Sequence, residues 1–423
     1  MRRLNIHGDA YRITAALWLA VPLLGAIPYI ATGTVPTLTD AFFESVSGFT
    51  TTGSSVVAAP EALPVWLRLW RALTQWIGGL GLVLFIIALA PSLRAESQQL
   101  YAAEFSGTQQ RKLHPHTATS VGRMWHIYTL LTIILAAALM LSGVEATDAV
   151  CLAMSTVSTG GFMTATGGLA GYSALTMSIL TLFMFLSGVN VALLYNFFTL
   201  SWRRLRRNQE FAVYVAVFAL ASAGCTVAFV AAGNPWGESV RYSLFHVAAT
   251  VSTCGFYTTA PQHWPFVVSA LSFPLILCGA MAGSTGGGLK LRRVMTLVRY
   301  LRNYFTRMIH PNAVFTVKID RQVVSADYVN KIFGFVFLYI LFIVGGAFVL
   351  TLCGSGIADA FCLAAANMSN LGPSPLINSL GADFNYAVLP AAAKWTLMLL
   401  MIAGRVEIFA LLAIVSPSYW RTR

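Results

Sequence analysis

Long stretches without a single charge constrain this chain more than any other feature. Between Arg12 and Asp40 lie 27 uncharged residues, and between Arg71 and Arg94 there are 22. Further runs separate Arg123 from Glu145, Glu210 from Glu238, and Lys331 from Asp359. Each reaches the ~20 residues that cross a hydrocarbon core of roughly 30 Å. Two others, Asp148 to Arg203 and Arg241 to Lys290, enclose 54 and 48 residues. These hold a span plus an apolar element that is not a simple span. Charged residues make up 10% of the chain, against roughly 25% in an ordinary soluble domain. A soluble globular enzyme is excluded. The amino-terminal arm is not a signal peptide, because the apolar stretch after it is too long and lacks a small-residue cleavage site.

The net charge of +12 follows from topology. Of the 27 Lys and Arg, 22 fall in the N-terminal arm, segments 92–123, 201–210 and 290–331, and the tail. The alternating polar loops near 32–64, 144–172, 234–264 and 353–387 hold only Arg241. The positive-inside rule makes the first group cytoplasmic, so both termini are inside and the number of spans is even. Nucleic acid is not a partner. The six cysteines show no CxxC pair and no zinc spacing, which argues against a disulfide framework or thiolate metal site.

Four stretches align without gaps: Asp40 to Ser54, Asp148 to Phe162, Tyr242 to Phe256 and Asp359 to Pro373. In each a glycine stands 13 residues after the first: Gly53, Gly161, Gly255 and Gly372. Two residues earlier stand Thr51, Thr159, Thr253 and Asn370. Three stretches open with Asp-Ala, and Asp is expected as the N-cap of a helix of about nine residues. So short a helix dips into the membrane and stops, pointing the negative end of its dipole inward. An extended, Gly-containing stretch follows. Non-helical backbone at that depth is tolerated where protein buries it or water reaches it, and carbonyls there can replace a cation's hydration shell. The plainer alternative is polar external loops with glycines at turns.

The expected fold class is an all-α polytopic membrane protein of four span–re-entrant loop–span repeats forming a pseudo-fourfold pore. Outer spans are expected near 13–31, 124–143, 211–233 and 332–352. Inner spans are expected near 65–91, 173–200, 265–300 and 388–415. The repeats are bounded at 1–100, 101–205, 206–320 and 321–423.

Two features interrupt the inner spans. Three consecutive glycines each cost roughly 1 kcal/mol relative to Ala in a helix, so the third inner span breaks across Gly283, Ser284, Thr285, Gly286, Gly287 and Gly288. Lys290 follows without the spacing of a Walker A loop. A plain hinge between packed helices is the alternative. Arg405 lies inside the last span, where an ionisable residue is a functional hypothesis. Glu407, two positions on, sits on another helix face, so Arg405 needs a different partner or a water-filled cavity; a structural salt bridge is the alternative. Lys394 is expected to snorkel. Glu44 and His246, at equivalent repeat positions, are assigned packing roles. His114, His116 and His126 sit in or beside a basic linker and suggest no metal site.

Taken together, SGFTTTGSSV (47–56), STGGF (158–162), STCGFYTT (252–259), AGSTGGGLK (282–290), SNLGP (369–373) and GRVEIFALLAIVSPSYWR (404–421) resemble the Trk/Ktr/HKT superfamily of potassium transporters, nearest its TrkH branch. The resemblance spans nearly the whole chain. The third repeat departs by lacking the opening Asp and by carrying Cys254. Members commonly have two further N-terminal helices, whereas about a dozen residues precede the first span here. The resemblance implies potassium as the transported ion, held by Thr51, Thr52, Gly53, Thr159, Gly160, Gly161, Thr253, Cys254, Gly255, Asn370, Leu371 and Gly372. It implies an intramembrane gating loop, 283–288 with Lys290, close to Arg405. It also implies a homodimer, a cytoplasmic nucleotide-binding regulatory subunit like TrkA, and a bacterial inner-membrane location. In the sodium-permeable branch, serine replaces the first filter glycine. The basic 290–331 segment suits the regulatory subunit or anionic membrane lipid equally. A sodium- or proton-coupled symporter is the alternative function, although such transporters usually show inverted repeats. An enzyme is not indicated, because no His/Asp/Glu or Cys/His cluster stands near a membrane face.

Overall fold

The computed structural model describes residues 6–81, 117–198, 207–258, 264–310, 316–320, 322–372, 384–406, 408 and 411–412. His114, His116, Glu407, Thr259, Pro373 and most of the tail lie outside them. The described chain is mostly helical, and its one sheet is a hairpin, β1 (Lys318–Ile319) and β2 (Gln322–Val323).

The outer spans form long helices. The first is split into α1 (Ile6–Gly25) and α2 (Ile27–Thr32), because Pro28 has no amide to continue the ladder. The others are α5 (Thr117–Leu141), α9 (Gln209–Ala231) and α13 (Ala326–Leu352). Among the described residues, three helices are long and apolar enough to cross a membrane: Gly122–Leu141, Gln209–Ala231 and Ala326–Leu352. Their outward faces are aliphatic or aromatic, with Leu141 88%, Leu220 75% and Phe337 68% exposed. So much exposed apolar surface suits hydrocarbon, not water.

The four repeated stretches form short helices: α3 (Leu38–Phe49), α6 (Ala146–Val157), α10 (Trp236–Val251) and α14 (Ile357–Met368). They are longer than the nine residues expected. Asp40, Asp148 and Asp359 are not their N-caps. Each stands at the third helical position, and the cap residues are Thr37, Glu145 and Gly356. The third short helix starts six residues before Tyr242 and carries Glu238 at the same third position. The carboxylate the repeat lacks at its aligned start is thus supplied from farther upstream. An acid in the first turn still meets the positive end of the helix dipole.

Thr37 is the cap that side-chain chemistry supports. Its hydroxyl accepts from the Asp40 amide at 3.1 Å and donates to the Asp40 carboxylate at 2.8 Å. Thr37→Ala is expected to cost about 1 kcal/mol of stability. Thermal unfolding of the detergent-solubilised protein checks this, and an unchanged midpoint would count against it.

The inner spans, as far as the described residues reach, include two that are broken into separate helices. They comprise α4 (Val65–Gly79), then α7 (Ala174–Ser187) with α8 (Val191–Phe198), then α11 (Phe266–Cys278) with α12 (Leu291–Ile309), and α15 (Ala391–Arg405). Only the third break was expected. The second occurs at Gly188–Asn190, where the Asn190 side-chain oxygen accepts from the Ala192 amide at 2.8 Å and starts a new helix.

Each short helix packs against its own inner helix and the inner helix of the preceding repeat. The pairs are α3 with α4 and α15, α6 with α7 and α4, α10 with α11 and α7, and α14 with α15 and α11. The sequence of contacts therefore closes on itself. One apolar core joins the second and third repeats, around Leu135, Leu152, Leu180 and Val268. Another joins the first and fourth, around Tyr29, Phe43, Leu67, Tyr339 and Leu397.

Candidate functional site

Every short helix ends in a left-handed residue followed two positions later by a positive-φ glycine. Thr51, Thr159, Thr253 and Asn370 take positive φ of 55°, 57°, 62° and 53°. Left-handed backbone is unfavourable for a β-branched residue, and strain of this kind persists only where the surroundings impose it. Two residues on, Gly53, Gly161, Gly255 and Gly372 have φ of 84°, 78°, 78° and 78°. Three of the ends close with an amide reaching back five residues: Thr52 to Ser47 at 2.9 Å, Gly160 to Ser155 at 2.7 Å and Leu371 to Ala366 at 2.9 Å. This is the Schellman pattern, with Thr or Asn in the place glycine usually takes. In the third repeat the Cys254 amide donates to the Ser252 hydroxyl instead, at 3.3 Å, and Gly255 reaches Ala249.

The four extended segments lie against one another. A Cβ at Gly53 would collide with the Gly160 carbonyl, one at Gly161 with the Cys254 carbonyl, and one at Gly372 with the Thr52 carbonyl. Cross-links hold them: Gln75 donates to the Gly160 carbonyl at 2.7 Å, Ser54 to Asn367 at 2.8 Å, and Asn370 to the Thr52 hydroxyl at 3.0 Å. Thr51, Thr52, Thr159, Thr253, Cys254, Asn370 and Leu371 are buried. No Asp, Glu, Lys, Arg or His occurs in these segments, so their polar atoms are chiefly neutral carbonyl and hydroxyl oxygens. Such a donor set suits an alkali cation. Among the described residues no group of three His, Cys, Asp or Glu side chains could hold another metal.

Beneath the segments runs the irregular stretch 279–290, with Gly279, Gly283, Gly288 and Lys290 all at positive φ. It is fastened on several sides. Thr285 donates to the Val157 carbonyl at 3.1 Å, and the Gly287 amide donates to the Thr253 hydroxyl at 2.7 Å. A Cβ at Gly287 would strike the Ser369 carbonyl. The Met281 amide donates to the Gly188 carbonyl at 3.1 Å, so the second helix break receives the loop. Glu210 accepts from the Ala282 amide at 2.6 Å, and the Lys290 ammonium donates to the Ser284 and Gly286 carbonyls.

Arg405 meets this loop. Its guanidinium donates to the Thr285 carbonyl at 2.8 Å and to the Gly78 and Gly79 carbonyls at 2.6 Å each. A cavity of about 60 Å³ lies here, lined by Gly79, Leu80, Gly283, Gly286, Lys290, Arg293 and Arg405 among others.

Other expectations are corrected. Lys394 does not snorkel: it is buried, and its ammonium donates to Asp40 at 2.6 Å and to the Ala387 carbonyl at 2.9 Å. The carboxylate at the third helical position draws it inward, as Asp148 draws Arg68 at 3.1 Å. Glu44 and His246 do more than pack. His246 bonds Ser272 at 2.6 Å, whereas Glu44 is ion-paired with Arg71 at 2.9 Å. His126 contacts the Gly122 carbonyl at 2.6 Å. Arg71 and Gln75 escaped the sequence reading, although they stand four apart inside an inner span, a spacing that puts both on one helix face.

A family model described as TrkH, cation transport protein, matches residues 5–221 and again 215–421. The Trk system potassium uptake protein TrkH of Salmonella typhimurium is 34% identical, over 98% of this chain and 86% of its own length. Its Escherichia coli K12 counterpart is 33% identical with the same coverage. A crystal structure of the potassium transporter TrkH from Vibrio parahaemolyticus superimposes with a TM-score of 0.88 at 28% identity, covering 98% of this chain and 86% of that one.

Proposed function

We propose, because this chain belongs to the TrkH family of cation transport proteins, that it carries potassium into the cell. It is a membrane transport protein, not an enzyme. The route is a pore built from four span–re-entrant loop–span repeats, 1–100, 101–205, 206–320 and 321–423. Its filter is formed by Thr51–Gly53, Thr159–Gly161, Thr253–Gly255 and Asn370–Gly372. The observation that carries this reading is the fourfold recurrence of a left-handed residue followed two positions later by a positive-φ glycine. Four equal backbone traces present equivalent carbonyl sets, as a weakly hydrated cation requires.

In this reading the 283–288 loop is the gate, with Lys290 bracing it and Arg405 holding it. Both termini face the cytoplasm of a bacterium, the chain works as a homodimer, and a TrkA-like nucleotide-binding subunit controls the gate from that side. The amphipathic helix α12, with Arg292, Arg299, Arg302 and Arg307, offers that subunit or anionic lipid a basic face.

The test is rescue of a potassium-transport-deficient bacterium on low potassium, with rubidium uptake as readout. Absence of uptake from a well-expressed protein together with its regulatory subunit would refute the reading. Uptake that stops when sodium or proton gradients are collapsed at fixed membrane potential would favour the symport alternative.

A further inference from the structure

Behind the first two extended segments sits a fully buried ion pair that the conduction path does not use. Glu44 lies in the middle of α3 with no exposure, and Arg71 on α4 is 3% exposed. The Glu44 carboxylate gathers the Arg71 Nε at 2.9 Å, the Ser55 hydroxyl at 2.9 Å and the Val56 amide at 2.9 Å. Ser55 and Val56 are the residues directly after Gly53 and Ser54. Arg71 continues outward. Its other nitrogens donate to the Ser55 hydroxyl at 3.1 Å and to the Met163 carbonyl at 3.4 Å, and its guanidinium stacks 4.3 Å from the centre of the Phe162 ring. Phe162 and Met163 directly follow Gly161.

The pair therefore fastens the exit of the first segment to the exit of the second. We propose that Glu44 and Arg71 are positioning residues for ion discrimination, setting the spacing between these two neighbouring filter segments. This rests on the potassium reading above. Two physical points favour it over a plain stabilising role. A buried ion pair is weak evidence for stability, since apolar side chains of similar volume often replace one at no cost. The second and fourth repeats carry Leu152 and Leu363 at the position of Glu44, so the helix itself folds with leucine there. What leucine cannot do is accept from the Val56 amide or hold a guanidinium over Phe162. The planar, multi-donor guanidinium reaches two segments at once.

The experiment uses the full chain, purified and reconstituted in lipid vesicles, with rubidium and sodium uptake measured separately and in competition. Glu44→Leu with Arg71→Leu removes both charges and leaves neither partner stranded. The expected result is a folded protein whose rubidium-over-sodium preference falls roughly tenfold. Its half-saturating rubidium concentration should rise while that of sodium does not. Arg71→Lys keeps the charge but not the two-way reach, and should give a smaller fall in the same direction; it decides the matter if the double variant does not fold. Unchanged preference in the folded double variant, or failing that in Arg71→Lys, overturns the positioning role. A wild type that does not distinguish the two ions overturns the potassium reading itself.

Discussion

Gly53→Ser should lower the preference for rubidium over sodium by tenfold or more while the protein still reaches the membrane. The reason is the backbone beside it. Gly53 has φ of 84°, a conformation that side chains resist, and a Cβ there would run into the Gly160 carbonyl, with the Gly161 backbone close behind. Those neighbours are main-chain atoms and cannot swing aside as a side chain would. The carbonyl of Gly160, held by Gln75, must move, and with it one of the proposed ion ligands. A tenfold loss corresponds to about 1.4 kcal/mol, within the ~1–3 kcal/mol that strain at one such residue costs. Two controls separate the causes. Gly33→Ala strains a positive φ with nothing within 4 Å, and Gly345→Ala adds a Cβ in open space. Both should leave ion preference unchanged. If Gly53→Ser distinguishes the ions as well as the wild type does, Gly53 does not line the path.

This expectation also shows where sequence reasoning stops. The repeat register was legible because it is local: a glycine two positions after a Thr or Asn at the end of a short apolar helix recurs four times with the same turn. The break in the third inner span was legible for the same reason, since three glycines weaken a helix wherever they occur. The break at Gly188–Asn190 was not. One Gly and one Asn in an apolar run are tolerated in many helices, and the loop that receives the freed backbone lies some 90 residues away in sequence, with Asn190 donating to the Ala282 carbonyl. Lys394 failed likewise. An ammonium near a span's outer end snorkels by default, and its partner Asp40 stands 354 positions earlier. In the sequence Arg71 bounds an uncharged run, and only the closure of the helices around it turns it into a buried link between two segments.

Removing the side chain of Arg405 is expected to raise rubidium flux about tenfold without changing ion preference. The guanidinium does two things at once. Gly78 and Gly79 close α4, and the last carbonyls of a helix lack partners within it, so Arg405 caps α4 from another helix. The same group holds the Thr285 carbonyl, which fixes the loop to that helix end. A fixed positive charge beside the proposed route would also repel cations, more strongly where the surroundings are less polar than water. Arg405→Ala lifts both effects. The loop does not unfold with it, because Thr285, Gly287 and Met281 keep their own bonds to Val157, Thr253 and Gly188; its closed arrangement is merely less favoured. Each charge-assisted bond contributes about 1.5–3 kcal/mol, and water entering the cavity recovers most of that, so a net bias near 1.4 kcal/mol is reasonable. Arg405→Lys should fall between, since one ammonium cannot span Thr285 and both glycine carbonyls in the geometry of a planar fork. Removing Gly286 and Gly287 tests the proposed gate from the other side and should also raise flux, again with preference intact. Flux measured in reconstituted vesicles decides: a well-folded Arg405→Ala protein that conducts no faster than wild type would make the arginine a structural cap of α4 and leave the loop without its latch.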